Sequence, residues 1–205
     1  MINWYLINGA KQLNVLITGS SGFLGGRIYQ FLKENKFNVI LLNRKKNFQI
    51  NKRSKKKLEK IFKKVDVIIN CIGKDIHTSK NRKKTIISNS EIPDLIYSVG
   101  NKVGVKYFIY ISTYHLYDFN QKKINENSKL IKKNLYTESK ILGEEKIKSQ
   151  KRKTKIIILR ICNLFGYPIT QNKNCSNLLI NYIIQKVAEN KIIFIKSRYN
   201  EYRYY

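Results

Sequence analysis

The sequence predicts an α/β fold, a doubly wound parallel sheet with helices on both faces, and three observations carry that expectation. Short runs rich in Ile and Val alternate with longer stretches of helical pattern. Nearly every position in those runs is apolar, as in strands covered on both sides. A glycine-spaced turn, in LITGSSGFLGGRIYQFL, joins the first run to the first helical stretch near the N-terminus. The chain has 205 residues, enough for one well-formed core. The expected domain spans 13–205, with 1–12 as an N-terminal extension.

The strands expected, in order, are Leu13–Ile17, Asn38–Leu42, Val65–Cys71, Lys106–Ser112, Lys155–Ile161 and Lys191–Ile195. Helical patterns run over Phe23–Asn35, Pro93–Lys102 and Leu135–Ser149. Gly100 and Gly104 fall where a helix would close before the fourth strand. The two prolines, Pro93 and Pro168, mark element boundaries rather than a linker, and no internal repeat divides the chain.

Composition narrows the function classes. No run of eighteen apolar residues occurs, and MINWYLINGAKQ lacks the basic and apolar segments of a secretory signal, so a cytoplasmic protein without membrane insertion is expected. Three cysteines, Cys71, Cys162 and Cys175, follow no metal-ligand spacing and accompany only His77 and His115, so no metal site is expected. The 41 Lys+Arg against 13 Asp+Glu give a formal charge of +28, which invites a nucleic-acid reading. That excess is spread through the chain, however, and only RKKNFQINKRSKKK at 44–57 is dense. The dense run reads equally as a solvated surface or a phosphate-binding patch, and specific nucleic-acid binding is not expected.

The glycine turn has a direct physical use. Gly19, Gly22 and Gly25 permit a tight turn, a close backbone approach to a pyrophosphate, and helix-to-sheet packing. Phosphate would sit at the helix N-terminus, where unpaired amides and the positive dipole end meet it. The octet Thr18-Gly19-Ser20-Ser21-Gly22-Phe23-Leu24-Gly25 resembles the TGxxGFLG turn of the short-chain dehydrogenase/reductase superfamily, in its extended branch of nucleotide-sugar epimerases, dehydratases and reductases. The resemblance implies a Rossmann-like domain whose Gly19, Ser21, Gly22, Phe23, Leu24 and Gly25 hold NAD(P).

An acidic residue at the end of the second strand would favour NAD. Asn43, Arg44, Lys45 and Lys46 stand there instead, and such cations pair with a 2′-phosphate, so NADP is slightly favoured over NAD. The family's third strand, with its adenine-contacting aspartate, is not recognisable between Asn47 and Lys64. VDVIINCIGKD at 65–75 resembles the family's fourth strand, which implies that backbone at Cys71, Ile72 and Gly73 follows the cofactor. Asn70 stands where relatives often carry histidine, and Asn89 is a candidate structural asparagine.

In NLYTESKILGE, Tyr136 and Lys140 lie one helical turn apart on one face. An ammonium beside a phenol favours the phenolate, pulling its pKa down from about 10; the same spacing also suits a solvated surface pair. The superfamily's Tyr-x-x-x-Lys pair works with a hydroxyl at the end of the fifth family strand. YFIYISTYHLYD supplies Ser112 and Thr113, and counting from Tyr117 aligns Thr113 with the epimerases' catalytic Ser/Thr. The resemblance implies Tyr136 as acid/base, Lys140 holding the ribose and favouring phenolate, and Thr113 positioning the reacting oxygen.

Glu126 resembles the acidic residue before the tyrosine helix and is expected to shape its loop. Glu138 reads as solvated, and His115 as a structural hydrogen-bonder more readily than a catalyst. IIILRICNLFGYP resembles the family's sixth strand and the turn bordering nicotinamide and sugar, making Asn163, Gly166, Tyr167 and Pro168 candidates. Arg203 resembles an arginine that touches substrate phosphate. Full-length relatives continue past this point, so little of the substrate-binding part is expected.

The implied function is an NAD(P)-dependent epimerase, dehydratase or reductase acting on a nucleotide-sugar-like molecule, and relatives suggest a homodimer. The alternatives are a non-catalytic NAD(P)-binding module and a polyanion binder on the same scaffold.

Overall fold

The computed structural model describes residues 12–42, 50–121, 123–151, 153–166 and 179–193. Five strands form one parallel sheet in the order β2-β1-β3-β4-β5. They are β1 (Asn14–Thr18), β2 (Asn38–Leu42), β3 (Val67–Asn70), β4 (Tyr107–Thr113) and β5 (Lys155–Ile161). The first five strands expected from sequence thus exist, with ends moved by at most two residues. β-Branched and aromatic side chains suit this pleated, covered surface.

Register brings the strand ends to one edge: Thr18 pairs with Asn70, Asn70 with Tyr110, and Thr113 with Ile161. Chain direction across the sheet reverses between β1 and β3, because β2 lies to one side of β1 and β3 to the other. In open α/β sheets that reversal opens a crevice at the carboxyl ends of the strands.

Alternating side chains build two cores. Val15, Ile17 and Val67 meet Ile28, Tyr29 and Leu32 of α1 (Phe23–Glu34) on one face. Leu16, Ile68, Phe108 and Tyr110 meet the opposite layer, including Leu58 and Phe62 of α2 (Lys55–Phe62). Ile96, Tyr97 and Val99 of α4 (Ile92–Val103) and Ile147 of α5 (Leu135–Ser149) complete that layer. Tyr97 sets its ring edge-on to Phe108, 5.3 Å between centroids. Each such fully buried large side chain contributes about 1.5–3 kcal/mol.

The apolar runs misled in one respect. Ile157 and Leu159 of β5 are 40% and 42% exposed, because β5 is an edge strand covered on one face only among the described residues. Lys191–Ile193 form no strand, and the rest of that expected element lies outside the described residues. Three helices were not anticipated: α2, α3 (Arg82–Ile86) and α6 (Leu179–Ala188). α2 takes up the end of the basic run, its lysines outward and Leu58 and Phe62 inward. Residues 50–64 carry no strand, in agreement with the missing third family strand.

Gly104 closes α4 with φ +84°, a left-handed cap that only glycine adopts without strain. Gly100, by contrast, lies inside the helix, where a Cβ would stand 3.1 Å from Ile68 Cδ1. α3 and α4 are joined by a π turn at Ile87–Glu91, and Pro93 sits in the first turn of α4. The wider turn frees the Asn89 carbonyl, which accepts a 2.5 Å hydrogen bond from the Tyr110 hydroxyl.

Two features hold α5 against the sheet. Gly143 presses on the π turn, since a Cβ there would fall on the Asn89 carbonyl oxygen and 2.5 Å from the Tyr110 hydroxyl oxygen. At the next residue, the buried Glu144 carboxylate accepts from Arg160 Nη2 at 2.6 Å, Arg160 Nε at 3.0 Å and Ser112 Oγ at 2.6 Å. Burial pushes the Glu144 pKa up, but these hydrogen bonds and the Arg160 charge outweigh it and leave it lowered. Arg160 also donates to the Tyr117 hydroxyl and the Glu126 carbonyl, fastening the loop before α5.

Gly143→Ala should lower the unfolding free energy by about 1–3 kcal/mol, the clash outweighing the roughly 1 kcal/mol that Ala gains over Gly in a helix. Urea unfolding measures this. A midpoint equal to or above that of the parent would show the contact to be unimportant.

Candidate active site

The crevice floor is made by backbone. Gly19 has φ +71°, and a Cβ there would lie 2.7 Å from the Cys71 carbonyl carbon. A Cβ on Gly25 would fall on the Gly19 carbonyl oxygen. The Cys71 N–H donates to the Thr18 carbonyl at 3.1 Å, carrying the β1–β3 pairing up to the crevice. Thr18 Oγ1 donates to Asn70 Oδ1 at 2.9 Å, so Asn70 locks the two strand ends together. Gly22 stands at the N-cap of α1 without a side-chain cap, and the first turn holds no acidic residue. This donor-rich, carboxylate-free helix start fits a bound phosphate.

The crevice wall comes from α5, whose start is fixed locally. Asn134 Oδ1 accepts from the Thr137 N–H and Thr137 Oγ1 accepts from the Asn134 N–H, both at 3.0 Å, a reciprocal cap. That cap sets the position of Tyr136 and Lys140. The Tyr136 phenol shares a hydrogen bond with the Thr113 side chain. Ser112, the other hydroxyl considered from sequence, turns to the opposite face and binds Glu144. Thr113 is thus the hydroxyl that reaches the phenol.

Lys140 is 5% exposed, and its ammonium donates to the Ile111 carbonyl at 2.7 Å, 5.0 Å from the centre of the Tyr110 ring. A Cβ on Gly73 would stand 3.2 Å from Nζ and 3.0 Å from Asn89 Oδ1. Burial lowers the Lys140 pKa to about 8, against the pull of Cys71 and Glu144. Burial pushes the Cys71 thiol up to about 12, with Lys140 pulling the other way.

The phenol departs from expectation. Its pKa is raised, by burial first and by the facing Asp75 carboxylate, with only the Thr113 hydrogen bond opposing. The Lys140 ammonium is engaged with the Ile111 carbonyl, so the spacing of four residues does not by itself deliver a phenolate. Asp75 escaped the sequence reading, because nothing in its neighbours announces that its loop folds back toward α5. That loop is held by Asn89: Oδ1 accepts from the Lys74 N–H at 2.6 Å, while Nδ2 donates to the Lys74 carbonyl at 3.0 Å and to Ser139 Oγ at 2.9 Å. Asn89 is a structural asparagine, as expected.

His115 follows Thr113 in a short 3-10 turn, its N–H donating to Thr113 Oγ1 at 3.3 Å. Its half-buried imidazole shares a hydrogen bond with the Asn163 side chain in the turn after β5. Asn163 therefore borders the same crevice end. Glu138 forms an exposed pair with Arg82 rather than standing alone, 2.6 Å apart. Asn43, Arg44, Lys45, Lys46, Tyr167, Pro168, Cys175 and Arg203 lie outside the described residues.

Because Lys140 is buried with a lowered pKa, the unfolded chain binds more protons than the folded one between about 8 and 10.5. Its contribution to stability therefore rises with pH across that window. Lys140→Met should flatten this rise, measured as urea midpoints from pH 7.5 upward. Parallel profiles for the two proteins would contradict a buried, perturbed ammonium.

Solved structures with this fold include the UDP-glucose 4-epimerase of Thermotoga maritima, with a TM-score of 0.75 at 18% identity. That match covers 91% of this chain and 66% of that one. The dTDP-4-dehydrorhamnose reductase of Bacillus anthracis, solved with NADP, matches with a TM-score of 0.70 at 20% identity, covering 87% and 61%. The UDP-glucuronic acid 4-epimerase of Bacillus cereus, solved with NAD, gives 0.67 at 19%, covering 87% and 63%. This chain spans roughly six tenths of such proteins' length, and at these identities the likeness establishes the fold. No curated protein matches the sequence significantly. No helix among the described residues is long and apolar enough to cross a membrane. The sequence profile that matches residues 15–204 settles the affiliation of this Rossmann-like domain: the chain belongs to the NAD dependent epimerase/dehydratase family.

Proposed function

We propose that the protein is an NAD(P)-dependent enzyme, an epimerase, dehydratase or reductase, acting on the sugar of a nucleotide-sugar-like substrate. The observation that carries this reading is the Tyr136 phenol hydrogen-bonded to Thr113 beside a buried Lys140, at the strand ends where the glycine turn opens. Gly19, Ser21, Gly22, Phe23, Leu24 and Gly25 would hold the coenzyme pyrophosphate, and Cys71, Ile72 and Gly73 would border its nicotinamide half. Asn43 and Arg44 would meet the adenosine ribose, with NADP slightly preferred. When bound, the nicotinamide supplies or accepts hydride.

The chain's own groups handle the proton. With its pKa held up, Tyr136 stands protonated at neutral pH. It serves first as general acid, donating its O–H proton to a substrate carbonyl oxygen as that oxygen becomes a hydroxyl. Thr113 fixes the reacting oxygen beside the phenol. Lys140 holds the end of β4 through the Ile111 carbonyl and lends positive charge when Tyr136 has given up its proton. Asn163 and Arg203 are the proposed substrate contacts. The working form is a cytoplasmic protein with 13–205 as its coenzyme-binding domain, able to pair as a homodimer.

The raised phenol pKa favours one second reading, a coenzyme-binding module without turnover. A titration with NADPH and NADH, followed by energy transfer from protein emission to the reduced nicotinamide, tests the shared premise. Saturable binding tighter for NADPH is expected; tighter NADH binding would refute the role given to Arg44. Coenzyme oxidation with a panel of nucleotide-linked keto-sugars then separates enzyme from module. Tyr136→Phe should lower turnover by about 10²-fold or more at nearly unchanged coenzyme affinity. Equal turnover in that variant would remove Tyr136 from the chemistry.

A further inference from the structure

Thr113 and Tyr136 lie at the two ends of one loop. Thr113 closes β4, and Asn134 caps α5 just before the phenol. The segment 114–134 between them leaves the sheet and returns through a narrow neck. There the Ile131 N–H donates to the Leu116 carbonyl at 2.7 Å, Tyr117 bridges Leu130 in antiparallel fashion, and the Asp118 N–H donates to the Lys129 carbonyl at 3.2 Å. Beyond the neck, the Gln121 side chain accepts from the Lys129 N–H and donates to the Lys129 carbonyl. The loop is thus knit to itself, but a two-stranded ribbon is marginal on its own in water, and its angle to the sheet must be set by another group.

One side chain ties that neck to both α5 and β5. Arg160 stands opposite Ser112 across the β4–β5 ladder, its side chain 11% exposed. Nε and Nη2 are engaged with Glu144 of α5, while Nη1 donates to the Tyr117 hydroxyl at 3.0 Å and to the Glu126 carbonyl at 2.9 Å. Tyr117 belongs to the outgoing limb of the loop and Glu126 to its returning half, and the guanidinium carbon lies 5.1 Å from the centre of the Tyr117 ring. A rigid plane carrying five N–H groups reaches acceptors on both sides at once, which an ammonium on a flexible stem does not. We infer that Arg160 is a positioning residue: it fixes the loop that begins at Thr113 against the helix that carries Tyr136, and so sets the Thr113 hydroxyl beside the phenol. Ser112 acts in the same direction, since its hydroxyl donates to Glu144 Oε1, the oxygen that also accepts from Arg160 Nε, so the residue next to Thr113 is held by the same carboxylate. The effect on turnover rests on the proposed function; the placement of the two side chains does not.

Protein carrying tyrosine labelled with carbon-13 at Cζ reads that placement by NMR without substrate or coenzyme. The resonance lost in Tyr136→Phe is that of Tyr136, and Thr113→Val gives its position once the hydrogen bond is removed. Tyr117→Phe keeps the ring and the buried Glu144 pair but removes the hydroxyl that Arg160 meets, and it should move the Tyr136 resonance toward the Thr113→Val position. Arg160→Lys keeps the charge and should move it at least as far, because one ammonium cannot serve Glu144 and the loop together. In coenzyme oxidation with a nucleotide-linked keto-sugar, Arg160→Lys should lower kcat by about 10-fold or more and Tyr117→Phe by a smaller factor, with coenzyme affinity near the parental value. A merely structural Arg160 would lower the urea midpoint and leave the Tyr136 resonance of the folded protein where it is. That result in both variants would overturn the proposal, as would a parental kcat in Tyr117→Phe. A resonance that Thr113→Val fails to move would show that the two hydroxyls do not meet, and would overturn it as well. If the parent protein binds no coenzyme or shows no turnover while the resonance moves as expected, the enzyme reading falls and the positioning by Arg160 stands.

Discussion

The site depends above all on one buried ammonium. Lys140 sits almost wholly out of water, and desolvation of an unpartnered cation there would cost several kcal/mol. Its compensation comes from β4 and from its own helix: the Ile111 carbonyl at 2.7 Å, the face of Tyr110, and the charge of Glu144 one turn along α5. Each of these must be in place for Lys140 to be tolerated. The same residues that tolerate it also set the distance of α5 from the sheet.

That distance is enforced one turn past Lys140. Gly143 lets the helix touch the Asn89 carbonyl and the Tyr110 hydroxyl, and the Glu144–Arg160 pair ties the following residue to the edge strand. A buried pair of this kind adds little net stability over well-packed apolar groups, but it holds register because one misplaced partner leaves a bare charge. Here it links α5 with β4, β5 and the loop through Tyr117 and Glu126. The π turn contributes in a different way, turning the Asn89 carbonyl toward the Tyr110 hydroxyl and the Asn89 side chain toward the loop that carries Asp75. Tyr136 therefore meets Thr113 from a frame that is specified on several sides.

Electrostatics inside the frame run opposite to those of the chain as a whole. The surface is strongly basic, yet the phenol faces a carboxylate and its pKa is raised. Burial explains most of this, since it penalises the charged form of tyrosine and lysine alike and so moves their pKa values in opposite directions. A phenol kept protonated beside a lysine near neutrality suits proton donation. Surface charge, screened over about 10 Å in ordinary salt, has little hold on this interior.

The sequence by itself determined the first five strands, the three main helices around them, the glycine turn and the one-turn spacing of Tyr136 and Lys140. These are written in local periodicity, in residues such as Gly19 that only one backbone geometry requires, and in spacing along a single helix. The partition of Ser112 and Thr113 to opposite faces, the capture of Glu144 by Arg160, the reach of the Asp75 charge to the phenol and the meeting of His115 with Asn163 were decided by tertiary structure. So was the exposure of Ile157 and Leu159 on β5 among the described residues, since an apolar run reads alike whether or not a layer covers it. Local pattern fixes which way a side chain leaves the backbone; which charge it finds there, and how much water remains, follows only from what segments distant in sequence bring to the same place.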